Sequence, residues 1–439
     1  MPEQARWSVL SGDGPEQPPA NPPDDAPRPG HDTPELPVPM AFDGPTLRLT
    51  VSGRDSPGLT SGLFEQLARA GVIVLDVGQV VLGGHLVLGT VVSAPKDVRA
   101  LTSRLQAWGE PLDVRVEAAL GHGDPSPGDG GRAHVTVLSQ PLSPGALAAV
   151  AGRISDVGGN IDRIIRIARW PVTALDLDVS GVEVARLKAV LATEAAKVGV
   201  DVAVQAAGLQ RRAMRLVVLD VDSTLIRGEV IEMLADAAGF GPEVAAITAA
   251  AMAGDIDFAQ SLTARVGLLD GLPATVLDDV RAGITLTPGA RTLVRTLKGL
   301  GYRVGLVSGG FAQVIEPLAA ELGVDYLHAN VLEIVDGHLT GRVTGPIVDR
   351  AAKAAALREF AAAHDVPLAY TVAIGDGAND LDMLAAAGLG IAFNAKPVVR
   401  AAADAAVNLP YLDSVLALLG IDRDEVDRAG HLTGTKEAR

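Results

Sequence analysis

Read for the spacing of apolar positions, the chain divides into three textures. Residues 1–43 carry Pro, Asp, Glu and Gly with almost no aliphatic clusters. Such a segment cannot bury enough apolar area to offset its ordering entropy, so a disordered tail is expected. Over residues 44–208, short strand-like runs alternate with runs at helical spacing. From about Gln210 the pattern changes again. Apolar runs at 216–219, 304–307 and 371–374 each end in a polar loop, with helical patterns between them. That rhythm predicts a doubly wound parallel α/β sheet, Rossmann-like, with its ligands beyond the C-terminal strand ends. A helical stretch over 229–285 sits between the first two of these strands, in position to cap the site. The core is then expected over 209–228 and 286–420, followed by a polar tail over 421–439.

The middle texture is an internal repeat. Ser56-Pro57-Gly58 recurs as Ser143-Pro144-Gly145 and Gly71 recurs as Gly158, at one offset of about 87 residues. A strand (47–51, then 134–138) leads into each Ser-Pro-Gly turn. A helix follows, with Leu59, Leu63, Leu67 and Ala70 in one copy and Leu147, Val150, Ile154 and Val157 in the other. Two strands come next, at 72–80 and 86–92, matched by 161–168 and 173–179. A second helix and a last strand close each copy: Leu112-Asp113-Val114-Arg115-Val116 and Val200-Asp201-Val202-Ala203-Val204. Each copy reads βαββαβ, a ferredoxin-like sandwich, over 44–120 and 133–208 with a linker at 121–132.

This repeat resembles the ACT family of small regulatory domains. The resemblance implies that the loop Gly53-Arg54-Asp55-Ser56-Pro57-Gly58 helps bind an amino-acid effector between paired domains, and that the chain forms a homodimer. The matching loop of the second copy, Ser139-Gln140-Pro141-Leu142-Ser143-Pro144-Gly145, lacks the aspartate of that pattern.

Composition narrows the function. The chain is 48% hydrophobic with 3% aromatics, so its cores must be aliphatic. A net charge of −16 argues against nucleic acid or an anionic membrane as partner, since phosphate backbones are met with Lys and Arg. There is no cysteine, which excludes disulfides, zinc-thiolate sites and cysteine nucleophiles. The first residues lack the pattern of a signal peptide, and no apolar run approaches the roughly 18 residues of a membrane span. A cytoplasmic protein is expected.

Four loops then bring the parts of a phosphoryl-transfer site. In Asp220-Val221-Asp222-Ser223-Thr224, carboxylates two residues apart beyond a strand end can divide attack and proton transfer between them. Ser308-Gly309-Gly310-Phe311 offers a hydroxyl and unhindered N–H groups to an anion. Lys353 opens a helix among alanines. Gly375-Asp376-Gly377-Ala378-Asn379-Asp380 packs oxygen donors among glycines, which suits Mg2+.

In this order the loops resemble the haloacid dehalogenase-like phosphatase superfamily. The resemblance implies Asp220 as nucleophile, through an aspartyl-phosphate, and Asp222 as general acid and base. It implies Mg2+ held by Asp220, the backbone carbonyl of Asp222 and Asp376. Ser308, Gly309, Lys353 and Asn379 would bind substrate, with Asp380 in support. Within the superfamily, Glu229, Ala251-Met252, Asp257-Phe258, Ser261-Leu262 and Arg265-Val266 are similar to the phosphoserine phosphatase family. That likeness implies Glu229 for the substrate ammonium, Arg265 for its carboxylate, and Met252 and Phe258 as pocket walls. It implies hydrolysis of phosphoserine, the last step of serine synthesis. Two readings remain beside it: a phosphatase for another small ester, and an amino-acid-sensing regulatory protein.

Overall fold

The computed structural model describes residues 8–9, 42–122, 131–208, 210–253 and 256–432. Of the tail expected to be disordered, all but residues 8–9 and 42–43 lie outside them. The chain forms two compact units, Pro19–Pro127 and Met1–Pro18 with Gly128–Arg439. Strand β1 (Ser8–Val9) belongs to the second unit, where it pairs antiparallel with Tyr326 and Leu327.

The first unit holds the first copy of the repeat. Its elements are β2 (Pro45–Arg54), α1 (Leu59–Arg69), β3 (Val74–Leu82), β4 (His85–Ser93), α2 (Val98–Gly109) and β5 (Val114–His122). The antiparallel sheet runs β3-β4-β2-β5. Leu47, Leu49 and Val51 alternate inward on β2 and meet Leu59, Leu63 and Leu67, one per turn of α1, with Leu101 and Leu105 of α2. Strand β3 ends two residues later than its periodicity suggests, because the chain reverses through Gly83-Gly84, both at positive φ. That is the two-residue hairpin that glycine permits and that matches strand twist.

The second copy has the same elements: β6 (Arg132–Ser139), α3 (Pro144–Asp156), β7 (Asn160–Ala168), β8 (Thr173–Ser180), α4 (Val184–Val198) and β9 (Asp201–Ala206). Ser143 caps α3, its hydroxyl accepting from Ala146 N, with Pro144 in the first turn where its missing N–H costs nothing. The sheet order β9-β6-β8-β7 repeats that of the first copy.

The α/β core follows as β10 (Leu216–Asp220), α5 (Val230–Ala238), α6 (Gly241–Ala253), α7 (Phe258–Gly267), α8 (Val276–Gly283), α9 (Ala290–Gly299), β11 (Arg303–Phe311), α10 (Ala312–Leu322), β12 (Tyr326–Val335) and β13 (His338–Thr344). It ends with α11 (Arg350–Ala362), β14 (Thr371–Gly375), α12 (Leu381–Ala386), β15 (Leu389–Phe393), α13 (Pro397–Ala402), β16 (Ala405–Val407), α14 (Val415–Leu418) and α15 (Arg423–Leu432). The parallel strands lie in the order β12-β11-β10-β14-β15-β16. Chain direction across the sheet reverses between β10 and β14, the switch point where doubly wound sheets open a crevice. Helices α5–α8 occupy the stretch expected to form a cap. Helix α15 occupies part of the stretch expected to be a loose tail. Its Val426 is buried and Arg423 pairs with Asp413, so this stretch is anchored despite its polarity; residues 433–439 lie outside the described residues.

The second copy is fused to the core. Strand β9 pairs antiparallel with β16 through Ala203 and Ala405, so one sheet runs from β1 to β7. Asn408 donates from its backbone N and its Nδ2 to the two oxygens of Asp201, at 2.7 and 2.6 Å. Arg211, 6% exposed, grips both oxygens of Asp176 at 3.0 and 2.8 Å and the carbonyls of Ala417 and Leu418. Those carbonyls end α14, whose final C=O groups have no partner within the helix. Removing one member of so buried a network costs about 3–5 kcal/mol.

Candidate active site

Strand β10 is apolar and wholly buried up to its last residue, Asp220, which is 2% exposed. The chain then turns through Asp222 and Ser223 (φ 58) into the cap. Lys353, 1% exposed on the first turn of α11, places its Nζ 2.6 Å from Asp220 Oδ1 and 2.7 Å from Asp380 Oδ1. Asp349 caps that helix and so fixes where the lysine starts. Burial alone would lower the Lys353 pKa, but Asp220 and Asp380 outweigh it and hold the ammonium charged. Burial, then the charge of Asp380, pushes the Asp220 carboxyl well above the usual range. Asp376 is pushed up to about 6 by burial and Asp380, against a hydrogen bond from Thr224 Oγ1 at 3.1 Å.

Carboxylate oxygens of Asp220, Asp376 and Asp380 lie within 4.8 Å of one another. Three carboxylates against one lysine leave an excess negative charge in a buried place. An all-oxygen donor set of that charge suits a hard divalent cation, and Mg2+ fits it. Asp380 is held by Gly377 N at 2.9 Å and fills the space beside Gly375, where a Cβ would lie 2.4 Å from its Cγ. Asn379 folds its side chain over Gly377 at the mouth of this loop.

Asp222 stands apart from the carboxylate group. Its Oδ2 accepts from Ser308 Oγ and its Oδ1 from Val230 N, both at 2.8 Å. Val230 is the first residue of α5, so the proton-transfer candidate is held by the core on one side and the cap entrance on the other. Gly310 N donates to Ser308 Oγ, and a Cβ at Gly310 would sit 2.9 Å from Asp222 Oδ2, which is why this position is glycine. Gly309 is oriented by buried Asn330, whose Nδ2 donates to Gly309 O while its Oδ1 accepts from Val348 N.

The cap contributes α7, opened by an Asp257–Gln260 capping box. Phe258 reaches the anion loop: a Cβ at Gly309 would lie 3.3 Å from its ring edge. Buried Arg265 sits two turns on, 3.9 Å from half-buried Glu229. Glu229 stands just before α5, and its side chain makes no capping hydrogen bond, which leaves its carboxylate available. Burial, then Asp222 and Glu232, raises the Glu229 pKa against the pull of Arg265. The side chain of Met252 lies outside the described residues. Sequence reasoning left Thr224, Asn330 and the Val230 N–H without a role. Thr224 stood inside a quoted motif, whereas nothing local marks the other two.

The haloacid dehalogenase-like hydrolase family matches residues 217–385, and ACT domain families match 46–119 and 132–205. The chain is 60% identical over 394 residues to a phosphoserine phosphatase of Streptomyces coelicolor, spanning 89% of this chain and 96% of that one. It is 54% identical over 390 residues to phosphoserine phosphatase SerB2 of Mycobacterium tuberculosis, spanning 87% and 94%. Among solved structures, an unliganded probable phosphoserine phosphatase from Vibrio cholerae is 34% identical, with a TM-score of 0.53 over 67% of this chain and 88% of that one.

Proposed function

The chain belongs to the phosphoserine phosphatase family of haloacid dehalogenase-like hydrolases, and from that premise we propose how its residues divide the hydrolysis of O-phospho-L-serine to L-serine and phosphate. Asp220 attacks phosphorus in line as the bond to the serine oxygen breaks, and the departing oxygen takes a proton from Asp222. An aspartyl-phosphate remains. Asp222, now a carboxylate, takes a proton from water; the water oxygen joins phosphorus and displaces the Asp220 carboxylate, releasing phosphate. Ser308, Gly309, Lys353 and Asn379 hold phosphoryl oxygens. Asp220, Asp376 and the backbone carbonyl of Asp222, with Asp380 behind, would hold Mg2+, which when bound would supply charge neutralisation for phosphoryl transfer.

The observation that carries this reading is the buried bridge of Lys353 between Asp220 and Asp380, at the sheet's switch point. Such a bridge has no structural need for the third carboxylate of Asp376 beside it. On the cap, Glu229 meets the substrate ammonium and Arg265 its carboxylate, with Phe258 and Met252 as walls. The N-terminal copies are regulatory: an amino acid binds at residues 53–58 of the first, and the chain works as a homodimer. The cytoplasm is the proposed site of action; no described helix is long and apolar enough to cross a membrane.

Phosphate release from a panel of phosphate esters, with and without EDTA and free serine, tests this assignment. Phosphoserine should lead the panel, and turnover should vanish with chelation and return with Mg2+. A preference for sugar or nucleotide phosphates, or turnover that survives EDTA, would overturn it. Sedimentation of the same preparation reads the oligomer.

A further inference from the structure

We infer that Ser261 is a substrate-positioning residue whose hydroxyl completes, beside the Arg265 guanidinium, the receptor for the substrate carboxylate. This rests on the reading of Arg265 as the carboxylate's partner. Ser261 is 1% exposed, and its Oγ has no hydrogen-bond partner among the described residues. A buried hydroxyl without a partner is costly, and a helical serine has a ready remedy in the carbonyl one turn back. Thr263 takes that remedy, donating to Ala259 O at 2.8 Å. Ser261 does not, although its own backbone N donates to Asp257 O at 2.9 Å.

Its neighbours say what the hydroxyl is kept for. Phe258, Ser261 and Arg265 fall at i, i+3 and i+7 of α7, on one face. Phe258 at one end of that stripe touches the anion loop at Gly309. Arg265 at the other end is steered by Ser261 itself, its Nε donating to Ser261 O at 3.3 Å. The carboxylate of Glu229 stays 3.9 Å away, beyond hydrogen-bond reach. The guanidinium therefore lies against the Ser261 backbone, on the face of α7 that also carries the Ser261 side chain, and a carboxylate, with two oxygens and no donor, is the group that pairs with both guanidinium and hydroxyl. Thr248 Oγ1 and Arg281 Nε also lack partners, but Thr248 is only half-buried and neither lies on α7.

The test compares phosphoserine with phosphoethanolamine, which keeps phosphate and ammonium and lacks the carboxylate. In Ser261→Ala, KM for phosphoserine should rise about 10-fold with kcat within about twofold, the effect of one hydrogen bond to a charged group. Activity on phosphoethanolamine should stay within about twofold, and the substrate-free protein should melt at the same temperature or about 1–3 °C higher, having lost an unpaired buried hydroxyl. Equal losses on both esters with a lowered melting temperature would mark a structural hydroxyl and overturn the inference, as would an unchanged KM for phosphoserine. Ser261→Cys, similar in size and a weak donor, is read the same way should the alanine variant not fold. Arg265→Ala belongs in the same panel. If it separates the two esters and Ser261→Ala does not, only the role of Ser261 fails; if it separates nothing, the reading of Arg265 fails and takes Ser261 with it.

Discussion

On the core side of the site, charges are spent on one another before any substrate arrives: Lys353 lies between Asp220 and Asp380, and Asp222 accepts from Ser308 and Val230. On the cap side the chemistry is left open. Glu229 and Arg265 stand 3.9 Å apart, and the Ser261 hydroxyl makes no bond. The difference follows from what each side meets. A phosphoryl group and its cation bring charges that transfer only if the surrounding dipoles are already fixed, so the core is preorganised. An amino acid brings one ammonium and one carboxylate, and groups already paired with each other would have to part before binding it.

The sharpest way to break this contrast is on the core side. Asp220→Asn keeps an oxygen for Lys353 and removes the proposed nucleophile, so turnover should fall by about 10^4 or more while circular dichroism and melting stay close to the parent. Residual activity above that level would remove Asp220 from its role. Lys353→Ala should cost stability as well as rate, because it strands two buried carboxylates. A loss of about 3–5 kcal/mol in denaturant unfolding is expected, and an unchanged midpoint would show that the bridge is not holding the core. On the cap side, Arg265→Ala should lower kcat/KM for phosphoserine about 100-fold and leave a generic aryl phosphate almost untouched. Equal losses would erase the distinction between the two sides.

The smallest effect is one of pH. In its proposed role Glu229 must be ionised to hold an ammonium, and burial raises its pKa above the ordinary 4.5. Its charged form is therefore lost as pH falls through that raised value. KM for phosphoserine should climb a few-fold on the acid side, in a limb that Glu229→Gln removes and that an aryl phosphate never shows. The same limb with both substrates would assign it to the core.

Much of the core side could be read from the sequence. Asp220, Ser308 and Asp376 each follow a short apolar run, and a strand that ends in a polar loop announces both the sheet and its reactive edge. The repeat was legible for a similar reason, since Leu59, Leu63 and Leu67 recur at helical spacing and Ser-Pro-Gly recurs before each helix. What escaped was long-range. Arg211 looks like one of two adjacent surface arginines until Asp176 and the end of α14 close around it. Asn330 carries no local pattern, and Ser261 lies within a recognised motif that gives it no role, because their partners come from elsewhere in the chain or, for Ser261, from outside it. The helix at 423–432 has too few apolar residues to be recognised, and it forms against a surface that the rest of the fold provides.

The seam between β9 and β16 sets a schedule for synthesis. Asp201 and Asn408, which join across it, are 207 residues apart in the chain. At translation speeds of about 5–20 residues per second, roughly 10–40 s separate the emergence of one from that of the other. Throughout that interval the second copy of the repeat has its own core and an open strand edge, the kind of edge that recruits stray strands. A nascent chain stalled within that interval would thus carry a folded domain with one adhesive side.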